Sequence, residues 1–276
     1  MTSSLLPIDS KQHLLHGWRR HDHYHFTAKD SWTQVVVAEL PALLPMYALA
    51  FFPRTEGGYQ LIAIQGLHAG ENCYLDQSGR WLVGYVPSAY RGYPFTLREA
   101  ILGEKRNLVL CFDLESGLYR ETPDPGNGDV RFFDDSGLPN PLLKQLLNFF
   151  TATAKGHHQT NNAVDKLEQA QLLKPWSLSI DNPEPGKPLL KGLYRIDEVA
   201  LNSLPSTELD ILHKANALPV AYAQLFSMPR LKTLCHLYDL RQSSKPTQAP
   251  SLPANLDTIF GEKQENEAIS FDWLSK

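Results

Sequence analysis

Three histidines within five residues are the side chains of this chain best suited to bind a metal ion. They occupy every second position of His21-Asp-His-Tyr-His25. In an extended strand this spacing puts His21, His23 and His25 on one face, and imidazole nitrogens are ligands of Zn, Fe or Cu. Because neighbouring same-face positions lie about 6 to 7 Å apart, a metal site would need two of them plus a ligand from elsewhere. The alternative is a solvated polar strand.

A second candidate site is the stretch from Trp81 to Phe95, which could bind a ligand. It contains five aromatic residues and one arginine, together with two prolines and two glycines. A guanidinium binds a carboxylate or phosphate through two parallel hydrogen bonds, and aromatic rings stack on planar ligands. The candidate ligand-binding residues are Tyr85, Tyr90, Arg91, Tyr93 and Glu71.

The same stretch has a structural alternative, in which Arg91 lies in the core. A buried charge must be paired, and Glu71, Asp113 or another core carboxylate could then be its partner while the tyrosines bind open backbone groups. The two hypotheses differ in whether Arg91 points into an open pocket or towards a buried carboxylate.

The sequence contains none of the common catalytic templates. It lacks a phosphate-binding loop, the dinucleotide pattern GxGxxG and the nucleophile pattern GxSxG. Several carboxylates could supply an acid and a base, but their spacing along the chain does not give their separation in space. We therefore expect binding rather than catalysis, and no catalytic residue is assigned.

The elements that must position these side chains divide into two parts. Residues 23–135 are predicted to be rich in strands separated by glycine-containing turns. The predicted strands are Thr33–Glu39, Tyr47–Phe52, Tyr59–Gly66, Trp81–Val86 and Leu108–Phe112. Their spacing favours an antiparallel or mixed sheet.

Residues 136–240 are predicted to be mainly helical. Asn140 followed by Pro141 is a helix start, and the helix after it is expected to end at Gly156, with a second helix over 162–173. A short strand pair, 176–180 and 189–196, precedes further helices that begin near 205, 218 and 227. The predicted fold class is α+β, with a β-rich N-terminal body, a helical C-terminal portion containing a short strand pair, and a flexible C-terminal tail.

The domain boundaries follow from composition. Residues 1–22 are interpreted as an N-terminal extension, 23–240 as one α+β domain and 241–276 as the tail. The tail begins with a Ser-, Pro- and Gln-rich stretch that has too little apolar surface to order itself. Two apolar islands follow, and their aromatic residues Phe260, Phe271 and Trp273 are the candidate partner-binding residues. The tail either docks on its own domain or binds a partner.

Bulk properties narrow the class of protein. The 276 residues have a net charge of -4, which disfavours a nucleic-acid partner. Three widely spaced cysteines without a CxxC pair favour a reducing compartment. The N-terminus does not have the pattern of a secretory signal, and the longest apolar run, at 40–52, is too short to span a bilayer. We expect a cytoplasmic protein without a transmembrane segment.

Several segments of the chain resemble the bacterial SapC-like family. The most specific are the Trp81–Phe95 stretch, which contains the match Tyr85-Val-Pro-Ser-Ala-Tyr-Arg-Gly-Tyr-Pro-Phe95, and Gly70-Glu-Asn72. The remaining matches are Leu40–Pro53, Gly66–Asn72, Gly79–Trp81, Leu110–Asp113 and Leu218–Ser227. The resemblance covers residues 13–238, with a conservative departure at Phe132–Gly137, where the family shows Leu-Phe-Asp.

The resemblance implies a supporting role. Relatives are often encoded beside flavin-dependent, tryptophan-halogenase-like enzymes and TonB-dependent receptors. We therefore expect a non-catalytic accessory or binding protein without a cofactor, with a protein partner such as a flavin-dependent halogenase-like enzyme, and a link to TonB-dependent uptake. A small-molecule ligand is compatible with this role.

Two alternatives stay open from the sequence. The first is a metal-dependent oxygenase or hydrolase that holds Zn or Fe through His21, His23 and His25. The second is a structural protein associated with the envelope or a surface layer.

Overall fold

The computed structural model describes residues 5–102, 105–180 and 186–243, and for 99–102 and 105–107 it describes the backbone alone. The strands are β1 (Leu5–Pro7), β2 (Gly17–Arg19), β3 (Trp32–Gln34), β4 (Leu49–Pro53), β5 (Tyr59–Ile64), β6 (Phe95–Leu102), β7 (Lys105–Asp113), β8 (Tyr119–Arg120), β9 (Asp129–Arg131), β10 (Leu173–Trp176) and β11 (Leu193–Ile196). The helices are α1 (Ser10–His13), α2 (Leu40–Leu43), α3 (Ser88–Arg91), α4 (Pro141–Gln169), α5 (Glu198–Asn202), α6 (Ser206–Lys214), α7 (Ala217–Ser227) and α8 (Leu231–Ser243).

The described strands form antiparallel sheets. One has five strands in the order β10-β11-β4-β5-β3, and two have three strands in the orders β8-β2-β9 and β1-β7-β6. Helices dominate after residue 140. The predicted α+β class, β-rich first and helical afterwards, is confirmed.

Residues 5–19, which belong to the segment interpreted as an N-terminal extension, contribute strands to two of these sheets. β1 pairs with β7, and β2 is the central strand between β8 and β9. Gly17 allows β2 to approach β9 closely, because a Cβ at this position would lie 2.1 Å from the Val130 carbonyl oxygen.

The strand predicted over Trp81–Val86 is wrong. Only Trp81 forms a single bridge, with Leu75, although the alternating aromatic residues are typical of a strand. The Tyr47 side chain, and not a neighbouring strand, forms hydrogen bonds with this segment. Trp81 Nε1 donates to Tyr47 Oη at 2.7 Å, and Tyr47 Oη donates to the Tyr85 carbonyl at 2.6 Å. The Tyr85 carbonyl is therefore bound by a tyrosine hydroxyl and not by a neighbouring strand.

The prediction that one helix ends at Gly156 and another follows is also wrong, because α4 is continuous from Pro141 to Gln169. Its predicted start is confirmed, since Asn140 Oδ1 accepts from the Leu143 amide at 2.8 Å. Gly156 is buried, and a Cβ there would lie 3.3 Å from the Val36 side chain. Because Gly156 has no side chain, α4 packs closely against Val36 at this position, and the helix continues past Gly156.

Two hydrophobic cores lie along α4. The larger core packs the five-stranded sheet against α4, α7 and α8, and includes Val164 and Leu167 of α4. The smaller core lies between the two small sheets and consists of Trp18, Phe95, Leu110, Phe112, Phe132, Phe133 and Leu143. One end of α4 thus belongs to each core.

The C-terminal portion follows the predicted order. β10 and β11 form the short antiparallel pair, with Leu173 opposite Ile196, although β10 begins earlier in the chain than expected. The helices α6, α7 and α8 follow. Phe260, Phe271 and Trp273 lie outside the described residues. Within the described residues, no helix is long and apolar enough to cross a membrane.

Candidate functional site

A cleft of about 450 Å³ opens where β2, the turn after α3 and the first turns of α4 meet. Ligand sites in proteins are typically about 300–1,000 Å³, so the cleft has the size of a small-molecule site. Its cationic residues are Arg20 and Arg91, and His21 lies between aromatic rings at the same opening. None of the described residues lining it is Asp or Glu.

Arg91 is exposed at this cleft. Its Nε donates to the Val86 carbonyl at 2.9 Å, and its guanidinium carbon lies 4.4 Å from the centre of the Tyr85 ring. These two contacts fix the plane of the guanidinium. No carboxylate among the described residues forms a salt bridge with it, so the structure places Arg91 at the cleft and not in a buried ion pair.

The two carboxylates considered as partners of Arg91 have other contacts. Glu71 Oε2 lies 3.0 Å from Lys187 Nζ, and Glu71 Oε1 accepts from the His68 amide. Asp113 Oδ1 accepts from the Glu115 amide at 3.0 Å. Glu71, predicted as a ligand-binding residue, is therefore not part of the cleft.

The carboxylate that holds the Trp81–Phe95 stretch is Glu39, which is only 6% exposed. Its oxygens accept from the Ser88 amide at 2.6 Å, from Ser88 Oγ at 2.8 Å and from Tyr85 Oη at 2.9 Å, and a further bond comes from the Val36 amide at 3.1 Å. Burial and the neighbouring Glu39 charge raise the pKa of Tyr85 to about 12. Glu39 thereby fixes the start of α3, three residues before Arg91.

Sequence reasoning missed Glu39, although the sequence contains a signal for it. This acidic residue stands inside the apolar run of residues 35–44. A carboxylate in such a run is expected to be buried and to need several hydrogen-bond donors. The donors come from a segment about 50 residues later, which local pattern cannot identify.

The predicted tyrosines have three different positions. Tyr93 lines the cleft, and its ring stacks on Phe26 with centroids 3.7 Å apart. The ring of Tyr85 packs against the Arg91 guanidinium. Tyr90 is buried and donates to Gln65 Oε1 at 2.7 Å, and its burial raises its pKa. The structure thus brings together Arg91, Tyr93 and Tyr85, whereas the Tyr90 side chain is buried in the core beside Gln65.

Aromatic rings give the cleft a fixed wall. Trp18 stacks on Phe132 with centroids 5.3 Å apart and meets Phe95 edge to face at 5.1 Å. Tyr24 packs edge to face against Trp81 at 5.5 Å. Because each ring is held by another, a ligand would meet preorganised side chains.

The first turns of α4 supply the opposite wall. Four residues of α4 line the cleft with the i, i+3, i+4, i+7 spacing of one helix face: Leu142, Gln145, Leu146 and Phe149. Gly92 permits the close approach of this helix, because a Cβ there would lie 2.3 Å from the Phe150 ring.

The three histidines do not share one face, so that expectation is wrong. Residues 20–24 are irregular and His25–Thr27 form a 3-10 turn, closed by the Thr27 amide bonding to the Tyr24 carbonyl at 2.9 Å. The rings of His23 and His25 lie 4.9 Å apart, and His25 covers Gly79. Across the described residues, no group of three or more His, Cys, Asp or Glu side chains is placed to hold a metal ion.

His21 is the one of the three that lines the cleft. Its ring lies edge-on to Tyr24 at 5.0 Å and to Tyr93 at 5.8 Å. Burial lowers its pKa. A backbone hydrogen bond with His23 opposes this lowering.

Comparison with known proteins gave one match. The model of the family described as SapC matches residues 8–234 of the 276-residue chain. No curated protein and no solved structure matches the sequence.

Proposed function

The chain belongs to the SapC family, and we propose that it is a non-catalytic accessory protein that binds a small molecule in the cleft between β2, α3 and α4. The observation that carries this proposal is the pair Arg20 and Arg91 at the opening of an aromatic cleft. Charged groups with fixed positions beside apolar walls are the usual composition of a small-molecule site.

Binding is favoured over covalent catalysis by the composition of the lining. A nucleophilic mechanism needs a nucleophile beside a base, with a third group that orients the base. The described lining residues include His21, but no Ser, Thr, Cys, Asp or Glu stands with it. The cleft therefore offers groups that orient a ligand, whereas its described lining contains no carboxylate that could orient His21 beside Tyr24 or Tyr93.

A matched pair of variants on α4 tests the proposal. Gln145 lines the cleft, whereas Asn148 is an exposed residue of the same helix outside it. We expect Gln145→Trp to fill the cleft and Asn148→Trp to leave it open. Thermal unfolding of the full chain would be measured with a panel of small carboxylates, phosphates, amines, sugars and neutral aromatics.

A compound that binds the folded chain at 100 times its Kd should stabilise it by about 2.7 kcal/mol. Compounds that stabilise the wild type should also stabilise Asn148→Trp, and should lose this effect on Gln145→Trp. Equal stabilisation of all three chains, or no stabilising compound in the panel, would contradict the proposal.

We further propose that the protein works with a partner enzyme, which the family resemblance suggests is flavin-dependent and halogenase-like, in the uptake or modification of a compound. Phe260, Phe271 and Trp273 are the proposed contacts. The full chain should capture this partner from cell extract, and the chain without residues 242–276 should not. Identical partner lists would remove the tail from the proposal and leave the cleft unaffected.

A further inference from the structure

We infer that the ligand of the cleft is a small aromatic carboxylate, with its carboxylate at Arg20 and Arg91 and its ring against the aromatic wall. The inference rests on the proposed binding function and adds the chemical class of the ligand.

The charge of the cleft selects an anion. Arg20 and Arg91 are its charged lining residues, and no described lining residue is acidic. Arginine presents its donors in a planar fork that matches a carboxylate through two parallel bonds. Because Arg91 Nε is bound to the Val86 carbonyl, the orientation of this fork is set before a ligand arrives.

His21 adds an aromatic ring to the same cleft. Its imidazole lies edge-on to Tyr93, with ring centroids 5.8 Å apart. The two rings together enlarge the surface against which a flat ligand can pack.

The remaining walls select a flat apolar body. Trp18, Tyr93 and Phe149 line the cleft together with Leu142 and Leu146. Planar rings gain from offset and edge-to-face contacts with such residues. The volume of about 450 Å³ suits a body of one or two fused rings, and two guanidinium groups are sufficient for a single negative charge.

Three probes of equal ring size test the class: 2-naphthoate, its neutral amide 2-naphthamide, and 2-naphthyl phosphate. Calorimetric titration of the full chain should show 2-naphthoate binding at least about tenfold more tightly than 2-naphthamide. Arg20→Gln and Arg91→Gln should each weaken 2-naphthoate at least about tenfold and leave 2-naphthamide nearly unchanged. Arg230→Gln, at an exposed arginine outside the cleft, should change neither.

The outcomes separate the class of the ligand from the function of the cleft. The carboxylate class would be wrong if 2-naphthoate and 2-naphthamide bound equally, if 2-naphthyl phosphate bound more tightly than 2-naphthoate, or if 2-naphthoate did not bind at millimolar concentration. In each case the cleft would still be a binding site as long as Gln145→Trp blocks binding of the panel compounds. Binding of 2-naphthoate that Gln145→Trp does not reduce would overturn both the class and the cleft as the site.

Discussion

Glu39 is the buried carboxylate that binds the start of α3, three residues before Arg91. Ser88 Oγ donates to it at 2.8 Å. Ser88→Ala should lower the free energy of unfolding by about 1.5–3 kcal/mol, the usual range for a hydrogen bond to a charged group. Urea unfolding measures this change.

An exposed serine provides the control for Ser88. Ser136 Oγ also donates to a carboxylate, Asp134 Oδ1, at 2.6 Å, but in an exposed turn. Ser136→Ala should change the free energy of unfolding by no more than about 0.5 kcal/mol. Equal losses in the two variants would show that Glu39 is not the anchor of this segment.

His157 makes folding stability depend on pH. Burial lowers its pKa from the ordinary 6.5, against a smaller opposing effect of Glu39. The folded state therefore disfavours the protonated ring, so stability is complete above pH 6.5 and declines as the pH falls towards the lowered pKa. The same direction holds for His21.

The neighbouring His158 is exposed and supplies a matched control. His157→Gln should reduce the loss of stability between pH 7.5 and pH 5, whereas His158→Gln should leave the profile as in the wild type. Urea midpoints at several pH values test this. An unchanged profile in His157→Gln would refute the role of this ring.

At the scale of elements, the close contact of β2 with β9 places Trp18 in the wall of the cleft. A Cβ on Gly17 would meet the Val130 carbonyl oxygen at 2.1 Å, and this oxygen belongs to the backbone of the neighbouring strand. Gly17→Ala should therefore destabilise the protein by about 1–3 kcal/mol, the usual range for overpacking.

The control for Gly17 is Gly84, which is exposed and whose nearest neighbour to an added Cβ is the flexible Met46 side chain at 3.3 Å. Gly84→Ala should change stability by about 0.5 kcal/mol or less. The thermal unfolding temperatures of both variants give the comparison, and a neutral Gly17→Ala would contradict the described pairing of β2 and β9.

At the scale of the whole molecule, α4 connects the two cores, with Leu143 in the smaller and Leu167 in the larger. The cores should therefore lose structure together. Urea unfolding followed by tryptophan fluorescence and by far-ultraviolet circular dichroism should give coincident transitions. Two separated transitions would mean that α4 does not couple the cores.

Local chemistry in the sequence predicts some of these features and misses others for a physical reason. Asn140 and Pro141 predict the start of α4 because capping depends on neighbouring residues. A glycine in a helical pattern predicts a helix end, and Gly156 does not end α4 because it packs against Val36, which is distant in sequence. Strand β2 has only three residues, too few for a periodic pattern.

Some residues of the candidate site can likewise be predicted from the sequence, and others cannot. The residue types of Trp81–Phe95 indicate a ligand-binding stretch, and Arg91 and Tyr93 do line the cleft. Arg20 and the cleft position of His21 depend on the packing of β2 against α4. Glu71 and Tyr90 do not line the cleft, and their partners are Lys187 and Gln65, which sequence spacing does not reveal.

A crystal structure of the full chain with 2-naphthoate tests the proposed ligand site most directly. We expect the naphthyl ring against Trp18, Tyr93 and Phe149, and the carboxylate within hydrogen-bonding distance of Arg20 or Arg91. A ligand bound outside this cleft, or one whose carboxylate points away from both arginines, would contradict this expectation.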